Sequence, residues 1–343
     1  MSGAKRLLQF LSKNKKTISP LLILTHDYPD PDSIASAYAL HYLVKSHYGI
    51  NSKIVYGGII SRIENRYMVK WLKIPLRRLK TVDFRRYPHV ALVDTQPDFD
   101  NNSFPKDMRA TIVIDQHSPA TKPAANLVIV EPKRDATCEI LSQALLSAKI
   151  DVPSTLATAL VYGILSDTLN LYRVRRREIF QTYLSLLPYC NMEILIQLQN
   201  PPRMKNFYMA LGQGIQYAAI YDRLISCHLG FIDDPVLVAH IADFLLPYKG
   251  MSWSFCTGRY KGKLYLSLRA VNANDLAYTI LHDVVIDPSS TGGHGSIAGG
   301  SIEVGKNASE RAWKKAERAL TQRLIKRLHL SSGNKLYFPF RRY

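Results

Sequence analysis

Short apolar runs with no polar alternation punctuate the first half of the chain: LLILT at 21–25, HVALV at 89–93, TIVI at 111–114 and LVIV at 127–130. A strand that is apolar at every position is covered on both faces, as parallel strands between helices are. The segments between them carry helical spacing instead. In DSIASAYALHYLVKSHYG, Ile34, Ala37, Tyr38 and Tyr42 fall three or four apart. RIENRYMVKWLK, ATCEILSQALLSAK and STLATALVYGILSDT read as further helices, the last with Ser154 as its N-cap. This alternation predicts an α/β fold with a mostly parallel sheet flanked by helices.

The pattern changes after about residue 190. Residues 191–221 look helical, lack a strand signal and are broken by Pro201-Pro202, which predicts a helical connector. Beyond it LISCHLGFI, WSFCTGRYKGKLYLSLRA and GGSIEVG read as strands, and PVLVAHIADFLLPY, ANDLAYTILHDV and SERAWKKAERALTQRLIKRLHL as helices. The expected organisation is a domain over 1–190, the connector over 191–221, a smaller α/β domain of different topology over 222–330, and a basic aromatic tail over 331–343. That tail reads either as a docking arm or as a frayed end. A length of 343 residues fits two cores better than one.

Composition narrows the class. A hydrophobic fraction of 47% and a charged fraction of 21% are those of a soluble globular protein. No apolar run approaches the roughly 20 residues that span a bilayer. The N-terminus, with Leu7, Leu8 and Leu11 on one face, reads as an amphipathic helix and not as a signal peptide. The four cysteines are scattered without finger or redox spacing, so a reduced, cytoplasmic protein without a membrane partner is expected. Lysine and arginine total 45 against 27 acids, a net charge of +18. This charge either keeps the chain soluble or attracts a polyanion, nucleic acid foremost.

The candidate chemistry lies at the ends of the apolar runs, where the carboxyl ends of parallel strands converge on a ligand. His26 with Asp30 and Asp32 stand in HDYPDPD, Asp94 in ALVDT, Asp115 and His117 in VIDQH, and Asp167 in GILSDT. Carboxylates and imidazoles collected in one place suit Mn²⁺ or Mg²⁺. Each residue also has a plainer reading. Asp32 can cap the helix that follows it, Asp94 and Asp115 can be loop residues, and Asp167 can end an apolar helix in solvent. The ordered conjunction favours a metal site.

These motifs resemble those of the DHH phosphoesterases with a DHH-associated second domain. HDYPDPDSIAS, VDTQP, VIDQHSP and GILSDT are similar to that family's four motifs in order, and SLRA followed by TGGHGSIAGG to its substrate-binding signature. The resemblance runs from about Pro20 to Gly305. It implies a metal-dependent hydrolase with its active site in the cleft between two domains. The substrates implied are short single-stranded RNA or DNA (nano-RNA), cut exonucleolytically to mononucleotides, and pAp. By position, His26, Asp30 and Asp94 would hold one Mn²⁺ or Mg²⁺ ion, and Asp32, Asp94 and Asp167 a second. Two such ions clamp the oxygens of an in-line displacement. His117 would face the scissile phosphate, and Asp115 would orient its neighbours. Arg269, Gly292, Gly293, His294, Gly299 and Gly300 would contact substrate, the last two from a facing turn.

One position departs from the family pattern. Gln116 stands where the family has the first histidine of its third motif, so the second ion is expected to be weakly held, on Gln116's carbonyl at best. Polyphosphate or linear dinucleotides remain alternative substrates. A nucleic-acid-binding protein with a degenerate metal site is the alternative of another class. The oligomeric state, a homodimer among the candidates, stays open.

Overall fold

A computed structural model of the chain describes residues 2–60, 62–119, 121–172, 174, 176–272, 276–285, 291–294, 296–330 and 337–341. The chain divides into two compact units, Met1–Pro202 and Arg203–Tyr343. Among the described residues, no helix is long and apolar enough to cross a membrane.

The first unit begins with α1 (Gly3–Asn14), β1 (Leu21–Leu24), α2 (Pro31–Tyr42), β2 (Ser52–Tyr56), α3 (Ile63–Trp71), β3 (Leu76–Arg78) and α4 (Thr81–Arg86). It continues through β4 (His89–Val93), β5 (Ala110–Asp115), β6 (Ala125–Val130), α5 (Thr137–Ser147), α6 (Ser154–Asp167), α7 (Glu178–Leu186) and α8 (Met192–Gln199). Its strands form one parallel sheet in the order β3-β2-β1-β4-β5-β6. The continuous apolar runs have a direct explanation. Leu21 and Ile23 of β1 enter the core on one face of the sheet, while Leu22 and Leu24 enter a second core on the other. Strand order reverses between β1 and β4, whose residues Leu24 and Leu92 are register partners. A doubly wound sheet opens a crevice at the carboxyl ends of the strands at such a switch point.

The second unit holds α9 (Lys205–Tyr217), β7 (Ala219–Tyr221), β8 (Leu224–Phe231), α10 (Val236–Leu245), β9 (Trp253–Tyr260) and β10 (Lys263–Ala270). They are followed by α11 (Ala277–Val284), β11 (Thr291–His294), β12 (Ile297–Glu303) and α12 (Glu310–Arg327). Its sheet is mixed, in the order β11-β12-β10-β9-β8-β7, with β8 and β9 parallel and the other pairs antiparallel. One apolar cluster gathers α11 and α12 with residues of β8 to β10 and β12, and another gathers α9 and α10.

Several local expectations change. The expected connector falls into both units, because α8 packs on α6 and α3 whereas α9 packs on β8 and α10. Residues 219–221 are a strand, which borrows its hydrogen bonds from β8. Pro153 occupies the N-cap of α6, and Ser154 is its first helical residue with no side-chain cap. Gly299 and Gly300 lie within β12, not in a turn, and pair with Ser267 and Leu266 of β10. Of the tail, only residues 337–341 are described, and Tyr337 bridges Ile220. The rest of the tail lies outside the described residues.

Candidate metal centre

His26 follows β1 and Asp94 follows β4, so the switch point brings both to one crevice. His26 Nε2 lies 3.8 Å from Asp30 Oδ1 and 3.7 Å from Asp94 Oδ2. Those separations are too long for hydrogen bonds. They lie within a few tenths of an ångström of the spacing of ligands on one shared ion, since atoms about 2.1 Å from a cation stand roughly 3.0–3.6 Å apart. Asp30 is the N-cap of α2, and its Oδ1 accepts from Ser33 N at 2.9 Å. Pro31 at the first helical position fixes the chain there, which holds Asp30 beside His26. Asp94 has φ +59°, a left-handed conformation that aspartate tolerates better than most residues. The chain therefore leaves the sheet on the ligand itself.

Asp94 also belongs to a second group. Asp94, Asp115 and His117 each offer one ligand atom within 4.8 Å of the others, as do His26, Asp30 and Asp94. Here a direct hydrogen bond exists already. Asp115 ends β5, is wholly buried, and its Oδ1 accepts from His117 Nδ1 at 2.8 Å and His117 N at 3.2 Å. Asp115 Oδ2 accepts from Gln96 Nε2 at 2.6 Å, and the same amide reaches His117 O at 2.9 Å. Asp115 thus holds His117 at its backbone and at Nδ1. A proton on Nδ1 leaves Nε2 as the working nitrogen of the ring.

The remaining carboxylates are bound differently. Asp32 is fully buried in the first turn of α2, and its partners come from the start of α5. Thr137 N donates to Oδ2 and Cys138 N to Oδ1, both at 2.7 Å. The N-cap of α5 is Ala136, which has no capping oxygen, so Asp32 satisfies two amides of a helix that begins 105 residues further on. Asp167 ends α6, and Gln116 Nε2 donates to its Oδ2 at 2.6 Å and to Asp32 Oδ2 at 3.3 Å. Gln116 was expected to offer a carbonyl; its amide nitrogen faces the carboxylates instead. Among the described residues, neither metal-competent group includes Asp32 or Asp167.

The electrostatics follow from crowding. Burial pushes Asp32 up to about 6, the charge of Asp30 adds to it, and the Cys138 and Thr137 hydrogen bonds oppose it. Burial, then the surrounding carboxylates, raise Asp94 well above the ordinary carboxylate range. Burial and the charges of Asp32 and Asp30 do the same to Asp167, against the Gln116 hydrogen bond. Acids held together so unfavourably call for a cation. For His117, burial alone would lower the pKa, but the Asp115 hydrogen bond and the acidic neighbours raise it. Burial and nearby Asp32 keep the Cys138 thiol far above its usual value, which makes it no nucleophile.

Sequence reasoning missed Thr137 and Gln96. Thr137 donates its hydroxyl to Asp94 Oδ1 at 2.7 Å, and its backbone amide serves Asp32. No local signal marks either residue beyond the proximity of Gln96 to Asp94. In the second unit, Arg269 carries contacts within the fold. It is buried, with Nε 2.5 Å from Asp243 Oδ1 and Nη1 on the carbonyls of Leu268 and Ala298 at 3.1 Å, so it stitches β10 to α10 and β12. Gly292 faces Gly299 across the β11–β12 pair, and a Cβ on Gly292 would meet nothing within 4 Å. Gly293, at φ +150°, has no such room, because a Cβ there would stand 2.3 Å from Ile297 O. The His294 side chain lies outside the described residues.

Residues 20–164 match the family model described as DHH family, N-terminal domain. An uncharacterized protein of Methanocaldococcus jannaschii is 32% identical over 330 residues, 95% of this chain and 66% of that protein. The "Probable manganese-dependent inorganic pyrophosphatase" of Streptococcus equi subsp. zooepidemicus is 31% identical over 163 residues, 45% of this chain and 50% of its own length. The chain thus spans about two thirds of the first relative and matches half of the second. An exopolyphosphatase-related protein from Bacteroides fragilis shares the fold, with a TM-score of 0.71, 16% identity, and coverage of 95% of this chain and 97% of its own.

Proposed function

We propose, from the premise that this chain belongs to the DHH family through its N-terminal domain, that it is a divalent-metal-dependent hydrolase of phosphate esters or anhydrides. Within that class we assign it short single-stranded oligonucleotides, cleaved to mononucleotides, with pAp as a further substrate. The observation that carries the hydrolase reading is the junction of two arrangements on one residue. Asp94 turns Oδ2 toward His26, beside Asp30, while its Oδ1 lies 3.7 Å from His117 Nδ1.

His26 Nε2, Asp30 Oδ1 and Asp94 Oδ2 fit Mn²⁺ or Mg²⁺, because one imidazole with two carboxylates is a mixed nitrogen and oxygen donor set. When bound, the cation supplies charge neutralisation at the phosphoryl oxygens and lowers the pKa of water. The protein's own part is played by His117 and its support. Asp115 and Gln96 hold the ring through Nδ1, and the raised pKa keeps His117 protonated closer to neutrality. Nε2–H then donates to the phosphoryl group and to the departing oxygen as negative charge grows there.

The choice of oligonucleotides is supported by the net charge of +18, which favours a polyanion, and by the side-chain-free Gly292–Gly299 strip. Such a strip admits a flat base or a phosphate close to the backbone. Inorganic pyrophosphate is the second reading, favoured by the match to the pyrophosphatase of Streptococcus equi. Mononucleotide release from a labelled three-nucleotide RNA, set beside phosphate release from pyrophosphate, decides between them. Each is run with Mn²⁺, Mg²⁺ or chelator. Metal-dependent mononucleotide release carries the first reading. Phosphate release alone carries the second, and neither, with long nucleic acid still bound, leaves a binding protein.

A further inference from the structure

We infer that this chain holds one resident divalent cation, on His26, Asp30 and Asp94, and that the carboxamide of Gln116 closes the Asp32–Asp167 position to a second. The inference deepens the hydrolase reading and rests on it for the identity of the metal.

Two arrangements of carboxylates stand side by side, and their chemistry differs. In the first, His26 Nε2 faces Asp30 Oδ1 and Asp94 Oδ2 at 3.8 and 3.7 Å, separations that a shared cation explains and a hydrogen bond does not. In the second, the space between the carboxylates holds a donor. Gln116 Nε2 stands 2.6 Å from Asp167 Oδ2 and 3.3 Å from Asp32 Oδ2. A cation ligated by both oxygens would need that same space, at about 2.0–2.2 Å from each.

Asp32 is committed elsewhere. An ionised carboxylate offers about four acceptor positions. Oδ1 takes Cys138 N at 2.7 Å and Ser36 Oγ at 3.4 Å, and Oδ2 takes Thr137 N at 2.7 Å and Gln116 Nε2 at 3.3 Å. Two of these donors are the leading amides of α5, which Ala136 cannot cap. With Thr137 N on one position of Oδ2, a metal on that oxygen would have to displace the Gln116 amide from the other. The Gln116 backbone is tied to the same group, because Gln116 N donates to Thr137 Oγ1 at 3.1 Å, and Thr137 Oγ1 donates in turn to Asp94 Oδ1 at 2.7 Å. The position is therefore filled by an uncharged donor that bridges two acids.

The test counts ions without substrate. Full-length protein is stripped with chelator and titrated with Mn²⁺, and the free ion is read from its electron paramagnetic resonance signal. One ion per chain is expected for the native protein and for Asp167→Asn, none for Asp30→Asn, and two for Gln116→His, whose imidazole supplies a ligand nitrogen. Circular dichroism melts confirm that each variant is folded, and Gln116→Glu stands in for Gln116→His where the latter is not. Two ions on the native chain, loss of an ion in Asp167→Asn, or a single ion in the folded Gln116 variant overturns the inference. The readout is separate from turnover. A count of one survives a failure to cleave oligonucleotides, and a count of two leaves the hydrolase reading standing.

Discussion

Asp115 Oδ1 accepts the Nδ1 proton of His117 at 2.8 Å, from a carboxylate that is wholly buried at the end of β5 and held on its other oxygen by Gln96. A half-exposed ring is thereby fixed by a buried carboxylate. Asp115→Asn removes the charge that raises the His117 pKa while keeping the shape. Turnover is expected to fall about 10²-fold, within the range for a positioned acid or base. The alkaline limb of the kcat profile should move to lower pH, because His117 then loses its proton sooner. Steady-state kinetics across pH check both, and an unmoved limb would assign that limb to another group.

Asp94 is the residue common to both arrangements. Asp94→Ala is expected to abolish Mn²⁺ binding and to lower turnover by more than about 100-fold, the upper end for losing a group that merely supports a ligand. Isothermal titration with Mn²⁺ and a turnover assay on the same preparation test this. Retained metal affinity would remove Asp94 from the ligand set.

Asp32 is expected to act on stability before chemistry. Asp32→Ala leaves Thr137 N and Cys138 N without their acceptor, at a cost of about 1–3 kcal/mol. In chelator, urea unfolding should show that loss for Asp32→Ala and a smaller one for Asp32→Asn, which keeps an acceptor oxygen. Equal behaviour of the two variants would refute the capping role.

The raised carboxylates give the metal-free protein an inverted pH dependence. A folded pKa above the unfolded one means that the native state binds more protons, so stability falls as pH rises. For Asp32 the contribution is complete below the unfolded value near 3.8 and is lost as pH rises through about 6. Asp94 and Asp167, raised in the same direction, extend the loss to higher pH. The chelated protein should therefore melt higher at about pH 6.5 than at about pH 8.5, a window above the one in which buried His41, lowered to about 4, gains stability in the opposite sense, by roughly 2–4 °C per kcal/mol. Mn²⁺ should reverse the order, because it binds the ionised carboxylates. Differential scanning fluorimetry under both conditions checks the sign.

Much of this protein is decided locally and is legible in the chain. Runs such as LLIL and HVALV are apolar at every position because both faces of their strands are covered, and that pattern alone yields the parallel sheet of the first unit. It also places His26, Asp94 and Asp115 at strand ends, hence at one edge. The second unit's hairpin and helices follow from the same periodicities. What each acid does there was settled by partners far away in sequence. Asp32 reads as a metal ligand, and only the folding of α5 onto it adds the otherwise unmet amides of Thr137 and Cys138 as its partners. Gln116 reads as a poor ligand until Asp167 arrives from the end of α6 and takes its amide nitrogen. Arg269 reads as a clamp for substrate, and the fold adds Asp243 and the carbonyl of Ala298 as partners of its guanidinium. Residue type and spacing fix which groups reach the sheet edge. Which atoms meet there depends on distances between segments that only the packed fold brings together.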